Sequence, residues 1–392
     1  MKKRFLIGGI GALALLAGAG GYYYTQQGQP AAGGESRYSK LFVVGALDHV
    51  HAVDLKTGEK IKEIPVGLIP HNLLLSGDGK KLYVSNVGSQ SVSVIDTEKL
   101  EKVGDILVGE MPKDLPQHAK VDPAKLKSSN TCFECHQVRG VGTLPNALAW
   151  APGEKALLVN EIRERSVTWL DTENRKTIRQ HRFELPTPTA PANMAVHPDS
   201  GEIWVLHRHE AEEYDKKKHE SLGADTMADF NHDPPAGQKT TWVTVHDPEM
   251  KQELARIKMD LAVPFGSVFS PDGRWLYVAY RSSNIIAVFD TKTHQLDRTF
   301  EVGTSPVGLA LTPDGKELYV TCLFSVPPVV QIVDVETGEV KVSMGVPPSA
   351  SLVRVDETTG LVYVTATGYN AVIEIDPKAM AITREFSAGH QP

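Results

Sequence analysis

Hydrophobic and polar residues alternate in short segments along most of this chain, and a period of two is typical of half-buried β-strands. Several of these segments end on an aspartate, which is followed by a polar turn and a second alternating segment, as in HAVDLKTGEKIKEIPVG. The aspartates in this position are Asp54, Asp96, Asp171, Asp247, Asp290, Asp334 and Asp376. Their spacings of 42, 75, 76, 43, 44 and 42 residues reveal a repeat of about 42 residues, with about 33 extra residues in each long interval.

Two further strands recur in phase with the aspartates. A tight Asp-Gly turn precedes one of them in SGDGKKLYVSN, SPDGRWLYVAY and TPDGKELYVTC. The other follows a proline in six units: Pro70, Pro145, Pro191, Pro264, Pro306 and Pro348. Each repeat therefore predicts four strands, named a to d, in which strand a follows the proline and strand c ends at the aspartate. Seven such units predict an all-β, seven-bladed propeller of four-stranded antiparallel blades.

The segments LYVSN, LYVAY, LYVTC and VYVTA, with the Asp-Gly turns before them, resemble the YVTN family of β-propellers, which are WD40-like in architecture. The resemblance covers nearly all of residues 39 to 389 and implies the fold, whereas propellers of this kind have many functions. We therefore predict a propeller over residues 39–392 after a flexible Gly/Pro-rich linker over residues 25–38. Blade 1 starts at strand b, so it has three strands or takes a fourth from residues 33–38.

Two insertions interrupt the repeat. Residues 110–142 lie between strand d of blade 2 and strand a of blade 3, and residues 207–239 lie between strands b and c of blade 4. In an antiparallel blade these two connections emerge on the same face of the disc, here called the top face. Long loops on a rigid scaffold commonly carry function, so the pattern predicts a functional site on that face.

The first 24 residues, MKKRFLIGGIGALALLAGAGGYYY, have three basic residues before an apolar segment and three tyrosines after it. This order predicts an export signal. Ala17-Gly18-Ala19 fits a cleavage site, but an uncharged run of about 20 residues is also long enough for a membrane anchor, so both interpretations stay open. Both predict that the propeller is periplasmic or otherwise outside the cytoplasmic membrane, either soluble or tethered.

Composition removes two classes of protein from consideration. The net charge is −7, and the 41 basic residues are scattered among 48 acidic ones, so no clustered basic face for nucleic acid is expected. The chain has only three cysteines, which excludes a disulfide scaffold in spite of the predicted export. Cys322 lies in a strand b and is expected to be a buried hydrophobic residue.

The other two cysteines lie in the first insertion, in SSNTCFECHQVRG, where Cys132, Cys135 and His136 form a Cys-x-x-Cys-His motif. Two thiols at this spacing can form thioethers with the two vinyl groups of haem, and the following histidine can bind the iron. We therefore predict one covalent haem c with His136 as the proximal ligand. A redox disulfide and half of a zinc site remain the alternatives, although the sequence lacks the βαβ context of the first and the second ligand pair of the second.

The second insertion is rich in side chains that can bind haem iron. The candidates for a sixth ligand there are His207, His209 and Met227, and Met111 and His118 are alternatives within the first insertion. A methionine ligand would raise the reduction potential and a second histidine would lower it. The alternative interpretation of the second insertion is a solvated charged loop.

A third feature lies at the predicted centre of the disc. His71 follows a strand-a proline and should border the central funnel, where Arg281 at the end of a strand b would also lie, and such groups suit an anionic cofactor. Here the chain is more distantly similar to the haem d1 propellers of cytochrome cd1 nitrite reductase, which implies His71 as the ligand of a second, non-covalent haem. In that enzyme the haem c occupies a separate helical domain, unlike here. The alternative for His71 is a polar cap on strand a.

These features predict an exported monohaem propeller cytochrome that transfers electrons to or from a periplasmic redox protein and is not itself an enzyme. The alternative is a haem-dependent oxidoreductase, with an open haem or a second cofactor in the funnel, that acts on a small substrate such as nitrite or peroxide. A binding or maturation protein related to haem d1 is the third hypothesis.

Overall fold

The computed structural model describes residues 11–15, 36, 38–45, 48–109, 143, 145–162, 164–186, 189–209 and 240–387. These residues form seven four-stranded sheets, and within each sheet neighbours in sequence are neighbours in space. The predicted all-β, seven-bladed propeller is therefore confirmed. Within the described part of the chain, no helix combines the length and the apolar character that crossing a bilayer requires.

The strands follow the predicted repeat. Blade 1 contains β1 (Gly11–Leu15), β2 (Tyr38–Val44), β3 (His49–Asp54) and β4 (Lys60–Pro65). Blade 2 contains β5 (Pro70–Leu75), β6 (Lys81–Asn86), β7 (Ser91–Asp96) and β8 (Glu101–Leu107). Blade 3 contains β9 (Pro145–Trp150), β10 (Leu157–Glu161), β11 (Ser166–Asp171) and β12 (Lys176–Arg182). Blade 4 contains β13 (Thr189–Val196), β14 (Ile203–His209), β15 (Thr241–His246) and β16 (Glu253–Met259).

The remaining three blades have no long insertion. Blade 5 contains β17 (Pro264–Phe269), β18 (Trp275–Tyr280), β19 (Ile285–Asp290) and β20 (Gln295–Glu301). Blade 6 contains β21 (Pro306–Leu311), β22 (Glu317–Cys322), β23 (Val329–Asp334) and β24 (Val340–Gly345). Blade 7 contains β25 (Ala350–Val355), β26 (Val362–Ala366), β27 (Ala371–Asp376) and β28 (Ala381–Ser387). Short 3₁₀ turns at Pro152–Glu154, Arg281–Ser283 and Thr367–Tyr369 join strands.

The repeated aspartates have a structural role at the turn from strand c to strand d. The Asp54 carboxylate accepts hydrogen bonds from the backbone N–H groups of Lys56 and Thr57, at 2.8 Å each. Asp334 does the same for Glu336 and Thr337, at 3.0 Å each. An aspartate that satisfies the backbone two and three residues ahead favours a tight turn, which explains why this residue marks every unit.

Blade 1 differs from the sequence-based expectation. Its fourth strand is not residues 33–38 but β1, Gly11–Leu15, which pairs with β2 in parallel. The inner edge of β2 would otherwise present unpaired backbone groups, and the apolar sequence GALAL can cover such an edge. β1 lies inside the segment for which the sequence predicts export, and the export of the chain stays a prediction.

The ring closes by side-chain contacts between blades 7 and 1. The Tyr38 hydroxyl donates to the Glu357 carboxylate at 2.9 Å, and the Arg384 guanidinium donates to the carbonyl of Leu55 at 2.6 Å. Below these polar contacts, one hydrophobic cluster joins the two blades and includes Leu41 and Phe386. Closure therefore depends on packing rather than on a strand shared between the two ends of the chain.

Candidate functional site

The ends of both insertions lie on the top face, as the flanking strands show. The first insertion follows β8 and precedes β9, whose first residue, Pro145, pairs with Glu161 at the end of β10. The second leaves the end of β14 and returns at β15, after His209 has paired with Thr189. β14 continues to His209, so residues 207–209 belong to the strand rather than to the insertion. The first loop runs from blade 2 to blade 3, and the second begins and ends on blade 4, so their ends lie on neighbouring blades.

Several predicted site residues lie outside the described residues. They are Cys132, Cys135, His136 and Met227, together with the local alternatives Met111 and His118. Their roles stay predictions, and the geometry of the site is built from the strands that flank the insertions.

A buried carboxylate lies at the root of the first insertion. Glu161 is fully buried at the end of β10, and Oε1 accepts hydrogen bonds from Thr168, Ser166 and Gln180. The other oxygen, Oε2, has no hydrogen-bond partner among the described residues and would lie 3.1 Å from a Cβ added to Gly109. Sequence reasoning missed this residue, because a strand-end glutamate carries no signal of burial until its neighbouring strands are known.

At the other end of the same insertion, the buried hydroxyl of Thr143 has no hydrogen-bond partner within the part of the chain that the structure describes. Its methyl group would lie 3.4 Å from that same added Cβ on Gly109, so the two ends of the loop and Glu161 meet in one place. Buried polar atoms are generally paired, so two unpaired oxygens at this point form a polar root that can accept a hydrogen-bond donor from the loop.

His207 is enclosed rather than presented at the surface. Its ring packs edge-on against Phe183 with centroids 4.7 Å apart, and Nε2 lies 2.9 Å from the Thr244 hydroxyl, while Nδ1 has no partner. Burial, and secondarily the charge of His246, lowers the pKa of His207 to about 3. The ring is therefore neutral at neutral pH and would have to leave these contacts to bind iron.

His207 belongs to a histidine cluster between blades 3 and 4 that the sequence did not reveal. His246 lies on β15, on the same side of the sheet as His207, and its ring centroid is 5.4 Å from that of His181 on β12. Burial lowers the pKa of His246 to about 4. His209, two residues further along β14, is only half-buried and lies nearer the top face than this cluster.

The funnel residues occupy a recurrent irregularity of the inner strands. Strand pairing skips His71 in β5 between Pro70 and Asn72, and a comparable register shift occurs in the inner strand of each of blades 3 to 7. His71 is 5% exposed, and its Nδ1 has no hydrogen-bond partner in the described ranges. A β-bulge of this kind redirects a side chain out of the sheet pattern, so each blade turns one residue aside near the axis.

Arg281 lies at the same end of blade 5. Its Nε donates to the Ser305 hydroxyl at 3.0 Å, and its guanidinium lies 5.9 Å from the ring centre of Phe265, the residue that follows a strand-a proline. Leu73, Val307 and Leu352 from the inner strands of blades 2, 6 and 7 belong to a single hydrophobic cluster, and Phe265 packs against it. The inner strands thus present both polar and apolar residues near the funnel.

The remaining predicted structural residues lie where the sequence indicates. Cys322 is fully buried in β22, and burial raises the pKa of its thiol to about 12. Such a thiol stays protonated and chemically inert near neutral pH.

Comparisons with known proteins agree with the fold. Residues 237–359 match the model of the cytochrome D1 heme domain family. An uncharacterized protein named YncE from Salmonella typhimurium is 36% identical over 83 residues, and its counterpart from Salmonella typhi is 35% identical over the same length. Those matches span 21% of this chain and 23% of the relatives, so the chain matches less than a quarter of their length.

A solved structure of hydrazine synthase from Kuenenia stuttgartiensis superposes with a TM-score of 0.65 at 15% identity. The alignment covers 96% of this chain and 97% of the other, and at this identity it supports the fold alone. Together the matches support a β-propeller fold, with similarity to the cytochrome D1 heme domain family over residues 237–359.

Proposed function

We propose that the chain is an exported β-propeller cytochrome in which Cys132 and Cys135 hold one haem c and His136 is its proximal ligand. The Cys-x-x-Cys-His motif carries the proposal. A covalent haem supplies reversible one-electron chemistry, and the protein would pass electrons to or from a periplasmic redox partner. The match to a cytochrome D1 heme domain supports a haem-related propeller without bearing on the covalent haem.

The described residues suit a haem-bearing loop in two respects. The loop's root contains an unpaired oxygen of Glu161 that can accept a hydrogen bond from a loop residue, which would fix the loop to blade 3. The neighbouring blade offers His209 at the end of β14 as a candidate sixth ligand, with Met227 and the enclosed His207 as the others. A ligand from this second insertion would join the two loops above blades 3 and 4.

The test is an optical spectrum of the reduced protein with and without CO, recorded on protein made in a host that matures c-type cytochromes. We expect haem that remains attached after denaturation, and a low-spin spectrum that changes in His136→Ala. Cys322→Ser is the matched control, because this third cysteine is buried in β22 and should leave the haem attached. Protein without covalent haem, or a His136→Ala variant with an unchanged spectrum, contradicts the proposal.

A second candidate function rests on His71. This histidine is nine-tenths buried with an unpaired Nδ1, and the family match is to a domain named for haem d1. The funnel would then hold a non-covalent cofactor such as haem d1, in an oxidoreductase acting on nitrite or peroxide or in a binding or maturation protein. His71→Ala should then abolish a non-covalent absorption band while the covalent haem remains. Purified protein without any such band contradicts this candidate.

The location of the protein is part of the proposal. Residues 1–24 would direct export, and a retained segment would tether the propeller to the membrane. Cleavage after Ala19 would remove Gly11–Leu15, which is β1, and leave β2 as the innermost strand of blade 1. The mass of the mature chain from the periplasmic and membrane fractions distinguishes the two forms, and a chain recovered only from the cytoplasm contradicts export.

A further inference from the structure

Blade 1 carries a cluster of metal-ligand side chains at its top-face end, on strands β3 and β4. His49 and His51 alternate along β3 and therefore lie on the same side of the sheet, and Glu63 on β4 is the cross-strand partner of His51. One ligand atom from each residue lies within 4.8 Å of the other two. In the sequence, the alternation in HVHAVD places the two histidines on one side of a strand. The carboxylate of Glu63 joins them only through the pairing of β3 with β4.

The orientation of His49 is determined by its neighbour. His49 Nδ1 lies 3.1 Å from the Asp48 carboxylate, and an ionised carboxylate can only accept, so Nδ1 carries the proton. Nε2 is then left with its lone pair exposed. A carboxylate that orients a histidine in this way is the usual outer partner of a metal-binding imidazole.

Gly45 leaves the space into which both rings point. A Cβ added to Gly45 would lie 2.5 Å from His49 Nε2, which is too close for that ring to stay in place, and 3.0 Å from His51 Nε2, which is a tight contact. The backbone of Gly45 is not in the left-handed region, so the need for glycine here is steric. The two Nε2 atoms thus converge on one small space that any larger residue would fill.

His51 is the least satisfied member of the cluster. The residue is 1% exposed, and no described residue forms a hydrogen bond with either ring nitrogen. Its Nδ1 is 3.6 Å from Glu63 Oε1, which is beyond hydrogen-bond distance. A buried imidazole without any partner is costly, and a bound cation would supply the missing contact.

We propose that His49, a ring nitrogen of His51 and the Glu63 carboxylate bind one divalent transition-metal ion of the zinc class on the top face of blade 1. Two imidazoles and a carboxylate suit Zn²⁺, Cu²⁺ or Ni²⁺ rather than Mg²⁺ or Ca²⁺, which prefer oxygen ligands. Three protein ligands leave a fourth position for water or an external ligand.

Binding requires two small adjustments. Tetrahedral zinc bonds of about 2.0–2.1 Å bring ligand atoms to about 3.3 Å from one another, so the half-buried side chain of His49 and the exposed side chain of Glu63 must move closer to His51. Glu63 also exchanges its ion pair with the Lys60 ammonium for the metal ion. The side chains of His49 and Glu63 are accessible to solvent and can adjust their positions, whereas His51 is buried and stays where it is.

The experiment is a titration of the full-length chain with Zn²⁺, followed by calorimetry or competition with a chromophoric chelator. The chain is used as the Cys132→Ser/Cys135→Ser variant, so that free thiols of the haem motif do not contribute. We expect about one equivalent of zinc, no comparable binding of Mg²⁺, and an affinity reduced by more than about tenfold in His49→Ala or Glu63→Gln. Lys60→Met should bind zinc more tightly, because it frees the Glu63 carboxylate.

His294→Ala is the matched control. His294 also contacts a carboxylate, that of Glu202 at 3.2 Å, but forms no such cluster, so its loss should not change zinc affinity. A Cu²⁺ complex provides a second measurement, since its electron paramagnetic resonance spectrum should lose one coupled nitrogen in His49→Ala. Zinc affinity that is unchanged in both His49→Ala and Glu63→Gln, or the absence of zinc binding, overturns the proposal. Neither result depends on whether haem is attached.

Discussion

At the scale of single residues, the buried histidines between blades 3 and 4 make stability depend on pH. His207 keeps a pKa of about 3 in the folded protein, whereas an unfolded histidine titrates near 6.5. Between these values the unfolded chain binds a proton that the folded chain does not. Above about pH 6.5 the neutral His207 costs the folded protein no stability. As the pH falls below this value, the free energy of unfolding decreases by about 1.4 kcal/mol per pH unit for one such group.

This linkage gives a measurable prediction. Lowering the pH from 6.5 to 5 should cost the wild-type protein about 2 kcal/mol more than the His207→Gln variant, because the variant has no proton to take up at this position. Urea unfolding of both proteins at the two pH values measures the difference. The charged or titratable groups that act on His207 are His246 and Arg256, and both are present in the wild type and in the variant. An equal loss of stability in the wild type and the variant would contradict a lowered pKa of His207 in the folded protein.

At the scale of elements, polar side chains on strand b join neighbouring blades near the axis. Thr321 on β22 accepts a hydrogen bond from the N–H of Gly308 at 2.8 Å and donates to the carbonyl of Ser351 in blade 7. Ser85 joins blades 2 and 3 in the same way. Its hydroxyl accepts a hydrogen bond from the N–H of Asn72 at 3.0 Å and donates to the carbonyl of Asn146 at 2.6 Å. These contacts satisfy backbone groups that the bulge in strand a leaves without a ladder partner.

Thr321→Val tests the contribution of such a bridge. The substitution keeps the shape and the branched Cβ but leaves two buried backbone groups without partners, at about 1–3 kcal/mol each. We expect a loss of about 2–6 kcal/mol in the free energy of unfolding, measured by denaturant titration. Thr299→Val, on the exposed side of β20, makes the same chemical change without a buried partner and should stay within about 0.5 kcal/mol. Similar losses in both variants would show that the bridge does not stabilise the ring.

The repeat explains how much of these elements the sequence could predict. The aspartate and Asp-Gly turns act within a few residues of their own backbone, so their spacing alone located strands a to d in every complete unit. Glu161 and the pair of His49 with His51 were missed, because their partners come from other strands and depend on register. β1 was missed for the opposite reason: its apolar sequence fits an export signal equally well, and only the open edge of β2 distinguishes a strand.

At the scale of the whole molecule, the joint between blades 7 and 1 brings together the first and last blades of the described propeller, whereas consecutive blades are joined by the chain. Phe386 on β28 packs against blade 1, where a Cβ on Gly58 would lie 3.4 Å from its ring. Phe300 on β20 has the same register in blade 5 and lies against Gly338 of blade 6. The two phenylalanines therefore occupy equivalent positions between blades. Phe386 lies between blades 7 and 1, which the chain does not join directly, and Phe300 lies between blades 5 and 6, which it does.

This equivalence gives a test of how the ring closes. Phe386→Ala should destabilise the protein by about 3–5 kcal/mol, and the loss should appear as local opening, because blades 1 and 7 can separate without unfolding the rest. Hydrogen exchange should quicken in β2 to β4 and β25 to β28 while blades 3 to 5 stay protected. In Phe300→Ala the chain still connects blades 5 and 6, so exchange should rise across the propeller in step with the lost stability. A uniform rise in Phe386→Ala would mean that the ring unfolds as one unit and that the joint between the chain ends is as strong as the others.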